Sequence, residues 1–502
     1  MSIPKTSIKL FFFFLLTALV SYYTSSCKKD QLLTDSSKLL LFSTDTLTFD
    51  TVFTTLGTTT KYFKIINPHN QNIEITDIHL KNAGSTTFRL NIDGVSGNSA
   101  QNIIVPANDS IYVFVAVTVN PGGIDVPFIY SDDVEISFNG NTQSVNLMAW
   151  GQDAYFHYGE IITSNTTWLN NKPHVLVSKD GIPGVLVSSG VTLNIPKNTH
   201  IYGMNNTGIY CWGTLNMGYN AASCSDTTTM EGIRLESYYD NLPGQWGGIN
   251  MLRGSTGNFK YVSINESSYG IFTGSDTTSN VNLFTNNSNR PSINLESVII
   301  SNTGFGQFAN GGFKFGGLNS FNSKIRAVNS VIYNSTGSNL LLILGGDYKF
   351  YNCTFYNGGS VSVQHQTEVL LISNFIQQGA FIDTNAFDNA EFNNCIVYGS
   401  LDEELSLNKI DASGGLNVQM NNCNIKTKLN TDSLGFVALK KNISPAFIDA
   451  YNGDFHLSAG SPCVDAGFDV SGVYPLSLKD FCGGTGSSRP IGAAFDIGAF
   501  EY

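Results

Sequence analysis

"YNCTFYN", residues 351–357, recurs as "NNCIVYG" at 393–399 and as "NNCNIKT" at 421–427. Each copy places an asparagine before the cysteine and an apolar residue two positions after it. A repeated cysteine could mark a metal site, a disulfide or one rung of a stacked core. The cysteines form no CxxC pair and no histidine lies at ligand spacing from them, which argues against a structural zinc site.

A single repeat frame extends this pattern along the chain. The frame residues Ser330, Cys353, Asn374, Cys395 and Cys423 are 23, 21, 21 and 28 residues apart. They are preceded by Asn329, Asn352, Ser373, Asn394 and Asn422, and the residues two further on are Ile332, Phe355, Ile376, Val397 and Ile425. Repeats of this length are typical of solenoids, in which each turn stacks on the next. We therefore predict an inward apolar column, an asparagine column bonded along the axis, and cysteines that are small buried side chains.

The short strand-sized runs from "HVLV" at 174–177 onward predict the same architecture over residues 153–440. This region resembles right-handed parallel β-helix repeat proteins, the pectin-lyase-like solenoids. The resemblance implies an all-β fold, and such solenoids include enzymes, binding proteins and structural proteins.

Residues 39–152 alternate apolar and polar side chains over short runs, which predicts about seven strands in a β-sandwich. "YFKIINPHNQNIEITDI" at 62–78 and "IVPANDSIYVFVAVTVNP" at 104–121 resemble immunoglobulin-like domains of the abnormal-spindle and Hydin type. The resemblance implies a spacer or a binding module.

Residues 1–26 have the features of a secretory signal peptide: Lys5 and Lys9, an apolar run, and small residues before Cys27. "TSSC" at 24–27 resembles a bacterial lipobox, although Thr24 replaces the usual aliphatic residue, and "CKKD" resembles exported lipoproteins of the Bacteroidetes type. The resemblance implies lipidation of Cys27 and a tether over residues 27–38. It also implies an outer-membrane lipoprotein, held at the cell surface or the periplasmic face. The alternative is an ordinary signal peptide with a chance cysteine.

The charge restricts the partners. The formal net charge is −12, and removing residues 1–26 with their two lysines would make it −14. An acidic surface disfavours nucleic acid, and it repels anionic polysaccharide unless the charge is local or a cation bridges the two.

Seven cysteines follow Cys27, so at least one stays unpaired. Cys211 with Cys224, and Cys463 with Cys482, are close enough in sequence to bridge.

"GDFHLSAGSPCVDAGFDV" at 453–470 and "RPIGAAFDIGAFEY" at 489–502 resemble the closing segment of exported bacterial β-helix proteins. We predict that residues 441–502 cap the solenoid, because the end of a solenoid exposes strand edges and core. Four charged residues of this segment predict a buried ion-pair network or, alternatively, a Ca²⁺ site: Asp465, Arg489, Asp496 and Glu501. No other metal or cofactor is predicted.

The sequence predicts no catalytic constellation, because no pair of carboxylates recurs from rung to rung as glycosidases require. "LDEEL" at 401–405, with Asp402, Glu403 and Glu404, is typical of a solvated loop. Lys324, Arg326 and His365 are further candidates, and each lacks a carboxylate partner nearby in the sequence.

Tyr333, Tyr356 and Tyr398 each lie three residues after a frame position, where strand alternation directs them outward. Such a row could stack on sugar rings, or it could be a ladder covered by loops. We therefore expect an envelope lipoprotein whose β-helix surface binds polysaccharide or another surface partner. The alternatives are a polysaccharide lyase or glycoside hydrolase acting on an extracellular glycan, and a structural or adhesive surface protein.

Overall fold

The computed structural model describes residues 32–53, 60–83, 87–118, 128–232, 242–274, 285–304, 313–360, 363–378, 380–410, 415–474, 479–482 and 488–502. The predicted signal peptide and Cys27 lie outside these ranges. The chain divides into two compact units, with the boundary between Asp153 and Ala154. The all-β prediction is confirmed, and no helix among the described residues is long and apolar enough to cross a membrane.

The first unit consists of two five-stranded sheets around one apolar core, in the orders β1-β3-β8-β5-β6 and β2-β10-β9-β4-β7. Its strands are β1 (Leu41–Phe42), β2 (Thr46–Phe53), β3 (Lys61–Ile66), β4 (Ile73–Leu80), β5 (Phe88–Ile92), β6 (Val95–Ser96), β7 (Ser99–Val105), β8 (Ser110–Val117), β9 (Phe128–Phe138) and β10 (Asn141–Gln152). Alternation selects the core residues, since Ile111, Val113 and Val115 of β8 are buried while Tyr112 and Phe114, which alternate with them, are exposed.

The second unit is a stack of short strands. They are β11 (Tyr155–Tyr158), β12 (Glu160–Ile162), β13 (Thr166–Thr167), β14 (His174–Lys179), β15 (Ile182–Val187), β16 (Thr192–Pro196), β17 (His200–Gly203), β18 (Gly208–Cys211), β19 (Thr214–Tyr219), β20 (Thr228–Gly232), β21 (Gly248–Met251), β22 (Thr256–Lys260), β23 (Val262–Asn265), β24 (Ile271–Thr273), β25 (Ser292–Glu296), β26 (Ile299–Thr303), β27 (Leu318–Val328), β28 (Val331–Ser335), β29 (Leu340–Tyr351), β30 (Thr354–Asn357), β31 (Leu370–Ser373), β32 (Phe375–Gln378), β33 (Phe381–Thr384), β34 (Phe387–Asn393), β35 (Ile396–Gly399), β36 (Leu405–Asn408), β37 (Val418–Asn421), β38 (Asn424–Ile425), β39 (Lys440–Lys441), β40 (Phe447–Asp449) and β41 (Asp454–Leu457). Two short 3₁₀ helices span Cys224–Asp226 and Ala450–Asn452.

Most of these strands pair in parallel with the third strand further along the chain, so three strands complete one turn. This architecture is consistent with a parallel β-helix solenoid, as predicted. The first face contains β11, β14, β17, β20, β23, β26, β28, β30, β35, β38 and β39. The second contains β12, β15, β18, β21, β24, the first parts of β27 and β29, β31 and β36, and the third contains β13, β16, β19, β22, β25, the last parts of β27 and β29, β34 and β37.

The repeat frame is confirmed for four of its five rungs. Parallel pairing stacks Ile332 on Phe355, Phe355 on Val397, and Val397 on Ile425. The three cysteines that precede this column, Cys353, Cys395 and Cys423, are fully buried and carry free thiols, as predicted. Burial raises the pKa of the Cys395 thiol well above its usual value.

The rung assigned to Ser373, Asn374 and Ile376 is wrong. Ser373 ends β31 on the second face, where it pairs with Ile343, and Ile376 lies in the hairpin formed by β32 and β33. β30 therefore pairs directly with β35, and the coil between them is 42 residues long because it contains this hairpin. The 21-residue spacing between Cys353 and Asn374 arose by chance, because Cys353 precedes a strand of the first face and Asn374 follows a strand of the second.

The asparagine column marks a corner of the solenoid. Asn329, Asn352, Asn394 and Asn422 have φ between 48° and 53°, a left-handed conformation that asparagine tolerates better than most residues. Only part of the predicted axial bonding is present: Asn394 Nδ2 donates to Asn352 Oδ1 at 2.9 Å. The amides of Asn329 and Asn422 instead donate to carbonyls of the C-terminal segment.

The described residues of the C-terminal segment, 441–474, 479–482 and 488–502, lie mainly against one side of the solenoid, whereas the prediction placed them as a cap over its end. Phe455 and Ala499 pack beside Val331 on the outward side of the first face, and Ile497 packs beside Ile396. The main chain reinforces this contact, since Gly498 N donates to Asn394 O at 2.9 Å. The outward side of the first face is apolar at these positions, so the segment covers that side, while its first residue, Lys441, pairs with Ile425 on the last coil.

Asn394 tests how much the corner contributes to stability. It receives a bond from Phe468 N at 3.0 Å and donates to Phe468 O at 2.8 Å, beside its bond to Asn352. We expect Asn394→Ala to lower the free energy of unfolding by about 2–4 kcal/mol, from lost bonds and left-handed strain. Asn394→Gly loses the bonds but tolerates the conformation, so its loss should be smaller in chemical denaturation. Equal losses would show that the backbone conformation contributes nothing.

Candidate functional site

The three tyrosines form the predicted row, because Tyr333 pairs with Tyr356 and Tyr356 with Tyr398. The C-terminal segment covers it. Tyr333 and Tyr356 pack edge-on against Phe455, with ring centroids 5.0 and 5.6 Å away, and the Lys426 ammonium lies 5.3 Å from the Tyr398 ring. These contacts correspond to a covered ladder, in which Tyr333 and Tyr356 are only partly exposed.

Three of the four charged residues of the C-terminal segment, Arg489, Asp496 and Glu501, lie together in a buried network, and Asp465 is an exposed neighbour of it. Arg489 Nη1 is 3.1 Å from Glu501 Oε1, and both side chains are almost inaccessible. Asp496 and Asp465 accept main-chain N–H groups, from Asp465 and Tyr502 in the first case and from Ala494 in the second. Burial raises the pKa of Asp496 and of Glu501, and the nearby Arg489 opposes that rise.

The carboxylates of this network are therefore occupied by main-chain donors and by one guanidinium. Within the described ranges, no group of three or more His, Cys, Asp or Glu side chains is arranged to hold a metal ion. The geometry favours the ion-pair interpretation over the Ca²⁺ site.

The third face of the solenoid carries a polar ladder on its outward side. Amide-to-amide hydrogen bonds of 2.8–2.9 Å connect successive rungs through Asn194, Asn216, Asn258 and Asn294.

The row of the polar ladder continues in register through three charged residues, Arg326, Lys349 and Glu391. Lys324 pairs in register with Asp347 on the adjacent strand, whereas the cross-strand neighbours of Arg326 are Asn294 and Lys349. Asp347 and Glu391 of this face lie opposite lysines and amides on the adjacent strands, and neither is opposite a second carboxylate in the register.

An exposed aromatic cluster lies on the first unit, on the outer side of the sheet that contains β3 and β8. Tyr62 on β3 is 52% exposed, and Tyr112 and Phe114 on β8 are each 38% exposed. The rings of Tyr112 and Phe114 are nearly parallel, 15° apart with centroids separated by 5.9 Å, and Tyr62 lies within 5.3 and 5.8 Å of them. We call these three residues the aromatic patch.

Basic and amide groups border the aromatic patch. The Lys64 ammonium lies 4.8 Å from the Tyr112 ring, and Asn91 is the cross-strand neighbour of Phe114. The sequence analysis missed this patch although the signal was present: in "IYVFVAV" at 111–117, alternation that buries Val113 and Val115 must expose the two aromatic residues.

"LDEEL" is not a uniformly solvated loop. Asp402 is exposed and pairs with Lys428 Nζ at 3.0 Å, whereas Glu404 is fully buried. Glu404 Oε2 lies 3.2 Å from His365 Nε2, and His365 Nδ1 lies 2.9 Å from Ser400 Oγ. The solenoid thus supplies the carboxylate partner that His365 lacks in the sequence, from the next coil.

A second buried histidine cluster lies at the start of the solenoid. His174 Nε2 donates to Leu169 O at 2.7 Å, which leaves Nδ1 to accept from His157 Nε2 at 2.8 Å. His157 Nδ1 contacts Glu160, and Trp168 stacks on both imidazoles at 4.2 and 4.3 Å. Burial lowers the pKa of His174 from 6.5 to about 4.

The two suggested cysteine pairs are wrong. Cys211 and Cys463 are fully buried in separate clusters. Cys224 and Cys482 lie together instead, half-buried, with their thiols in hydrogen-bonding contact and Cys224 N donating to Cys482 O at 3.0 Å. The fold unites residues that are 258 positions apart.

Comparison with known proteins adds little. No protein-family model matches the chain, and no curated protein sequence matches it. Among solved structures, a partial likeness to the VesB protease of Vibrio cholerae covers 24% of this chain and 33% of that one, at 15% identity and a TM-score of 0.17. A family 123 glycoside hydrolase from Clostridium perfringens is matched over 23% of this chain and 26% of its own, at 5% identity and a TM-score of 0.16. Neither likeness bears on fold or function.

His174 should make the solenoid acid-sensitive. Its folded-state pKa of about 4 lies below the 6.5 of an unburied histidine, so between these pH values the unfolded chain binds a proton that the folded chain does not. Stability therefore falls as the pH drops from 6.5 to 4, by on the order of 3 kcal/mol. Urea unfolding at several pH values should show a stability advantage of the wild type over His174→Gln that shrinks through this window. Parallel curves would contradict the assignment.

Cys224 and Cys482 should form a disulfide when oxidised. Burial and the neighbouring Cys224 raise the pKa of the Cys482 thiol to about 12, so the reaction should be slow at neutral pH. Incubation with oxidised dithiothreitol near pH 8.5 should yield one Cys224–Cys482 peptide under non-reducing mass spectrometry, and none in Cys482→Ser. A dominant bridge that involves Cys353 or Cys395 would contradict their buried positions.

Proposed function

We propose that this chain is an envelope lipoprotein that binds a neutral extracellular polysaccharide, and that the aromatic patch is the binding surface. The observation that carries the proposal is the exposure of Tyr62, Tyr112 and Phe114 side by side on a regular sheet. Aromatic rings can bury the apolar faces of sugar rings, while hydroxyl groups at their edges stay hydrated. A folded sheet holds the rings in place, so little entropy is lost on binding.

The polar neighbours of the aromatic patch suit a sugar. Lys64 and Asn91 border the rings and offer hydrogen-bond donors at the edge of the apolar surface. The net charge of −12 disfavours a polyanion, which supports a neutral polysaccharide as ligand. This placement differs from the expectation of a binding surface on the solenoid, because the tyrosine row there is covered by Phe455 and Phe447.

The remaining parts of the chain have supporting roles in this proposal. Lipidation of Cys27 would hold the protein at the outer membrane. The first unit would be an immunoglobulin-like binding module, and the solenoid a right-handed β-helix, since parallel crossover connections are right-handed in almost all proteins. The polar ladder on the third face supports a second contact surface for a hydrated partner.

Removal of the aromatic rings should abolish binding. We expect Tyr112→Ala and Phe114→Ala each to weaken retention on a neutral polysaccharide at least about tenfold, since buried aromatic anchors dominate such interfaces. The measurement is affinity electrophoresis against a panel of plant, algal and bacterial polysaccharides. Reducing ends and unsaturated-product absorbance are recorded in the same samples.

Ile129 provides a matched control. It is 63% exposed on the other sheet of the same unit, so Ile129→Ala removes an exposed apolar side chain without touching the aromatic patch. Its retention should equal that of the wild type. Equal losses in all three variants, or new reducing ends released by the wild type, would overturn the proposal of a binding patch without cleavage.

A further inference from the structure

We propose that Ser400, His365 and Glu404 form a hydrolytic site for carboxylic esters, with Ser400 as nucleophile, His365 as general base and Glu404 as the group that orients the imidazole. The inference goes beyond polysaccharide binding and does not depend on it. Its three members come from two successive coils, so no local sequence motif contains them.

The accessibility of the three side chains fits these roles. Ser400 is exposed, the His365 side chain is 3% exposed, and the Glu404 side chain is fully buried. A nucleophile must meet its substrate, whereas its base and the orienting carboxylate work best when they are shielded from water. The distances are 2.9 Å from Ser400 Oγ to His365 Nδ1 and 3.2 Å from His365 Nε2 to Glu404 Oε2.

In the proposed site the acceptor chemistry of Glu404 assigns the tautomer of His365. Glu404 is acceptor-only when it is ionised, so the imidazole proton belongs on Nε2, facing the carboxylate. Nδ1 is then the acceptor for the Ser400 hydroxyl proton. The Nε2–Glu404 contact lies off the ideal N–H direction, as is common for catalytic hydrogen bonds before substrate binds.

The fold fixes the position of the Glu404 carboxyl group. Its Oε1 accepts the N–H of Leu401 at 2.8 Å and its Oε2 accepts the N–H of Val369 at 3.2 Å. Gly399, the last residue of "NNCIVYG", makes room for it: a Cβ there would lie 2.2 Å from Glu404 Oε1 and 2.6 Å from Asn357 O. A buried carboxylate with this support is a costly arrangement for a merely structural residue.

Ser400 and His365 line a shallow, open depression of about 670 Å³. Gln364 and Gln366 also line it, Lys314 Nζ donates to Gln366 Oε1 at 2.8 Å, and Tyr451, 61% exposed, forms one side. The side-chain amides of Gln364 and Gln366 can donate hydrogen bonds to a developing oxyanion and to a polar alcohol portion. The open shape favours a small acyl group on a hydroxyl-rich alcohol, and an ester is preferred to an amide because its alkoxide leaves more readily.

The reaction balances with water as the only co-reactant. Ser400 Oγ bonds to the acyl carbon as its proton passes to His365 Nδ1, and the ester C–O bond breaks as the alcohol takes that proton. Water then attacks the acyl-serine, giving its proton to Nδ1, and the carboxylic acid leaves as the proton returns to Ser400 Oγ.

The test treats the full folded protein with a fluorophosphonate probe, which phosphonylates an activated serine and releases fluoride, and assays p-nitrophenyl acetate separately. We expect the probe on the peptide that contains Ser400, and release of p-nitrophenol that is lost in Ser400→Ala and reduced at least about 100-fold in His365→Gln. Ser225→Ala, an exposed serine on another coil, should behave as the wild type.

Glu404 requires a separate readout because its replacement could also disturb packing. In Glu404→Gln we expect a lower kcat with an unchanged KM and an altered pH–rate profile, in protein whose melting temperature is checked beside the wild type. Absence of the probe from Ser400 in the wild type, or wild-type hydrolysis in Ser400→Ala, would overturn the inference. Both readouts use small esters, so they do not depend on the aromatic patch.

Discussion

The second unit depends on the parallel register of its coils, because every strand of the solenoid must offer its neighbour the same kind of side chain at the same position. Ile332, Phe355, Val397 and Ile425 meet this requirement inside the first face, and the left-handed asparagines at the preceding corner turn the chain before each of these strands. A change at one rung is therefore felt by the rungs above and below it. This constraint explains why chemically similar residues recur along each column of the solenoid.

The surfaces available for binding are those that no described part of the chain covers. The C-terminal segment occupies the outward side of the first face, and the hairpin of β32 and β33 brings Ile376 into an apolar cluster with Phe321 and Leu341 on the second. The third face keeps a polar ladder, and the first unit keeps its aromatic patch. A contiguous apolar patch on a protein surface can mark an interaction site, because it leaves apolar area in water. The proposal of a binding protein depends on the contrast between the covered tyrosine row of the solenoid and the exposed aromatic patch of the first unit.

Sequence reasoning predicted what is local and periodic. It placed Cys353, Cys395 and Cys423 inward and Tyr333, Tyr356 and Tyr398 in an outward row, because both follow from strand alternation and repeat spacing. It failed where the structure depends on distant contacts. Asn374 was misassigned because a hairpin lengthens one coil, the cover over the tyrosines comes from about a hundred residues downstream, and Cys224 meets Cys482 only in the folded chain. Glu404 contacts His365 from the next coil. The acidic run at 401–405 is typical of a solvated loop in the sequence, but one of its carboxylates is buried in the structure. The aromatic patch was predictable from alternation in β8 and was overlooked.

Hydroxyl-radical footprinting of the full protein, with and without a neutral polysaccharide that it retains, tests the central claim most directly. Tyrosine and phenylalanine side chains are oxidised in proportion to their exposure, so bound sugar should protect the rings it covers. We expect protection at Tyr62, Tyr112 and Phe114, with Tyr333 and Tyr356 slow to react in both states because Phe455 covers them. Protection confined to the solenoid, with the aromatic patch oxidised equally in both samples, would contradict the proposed binding surface.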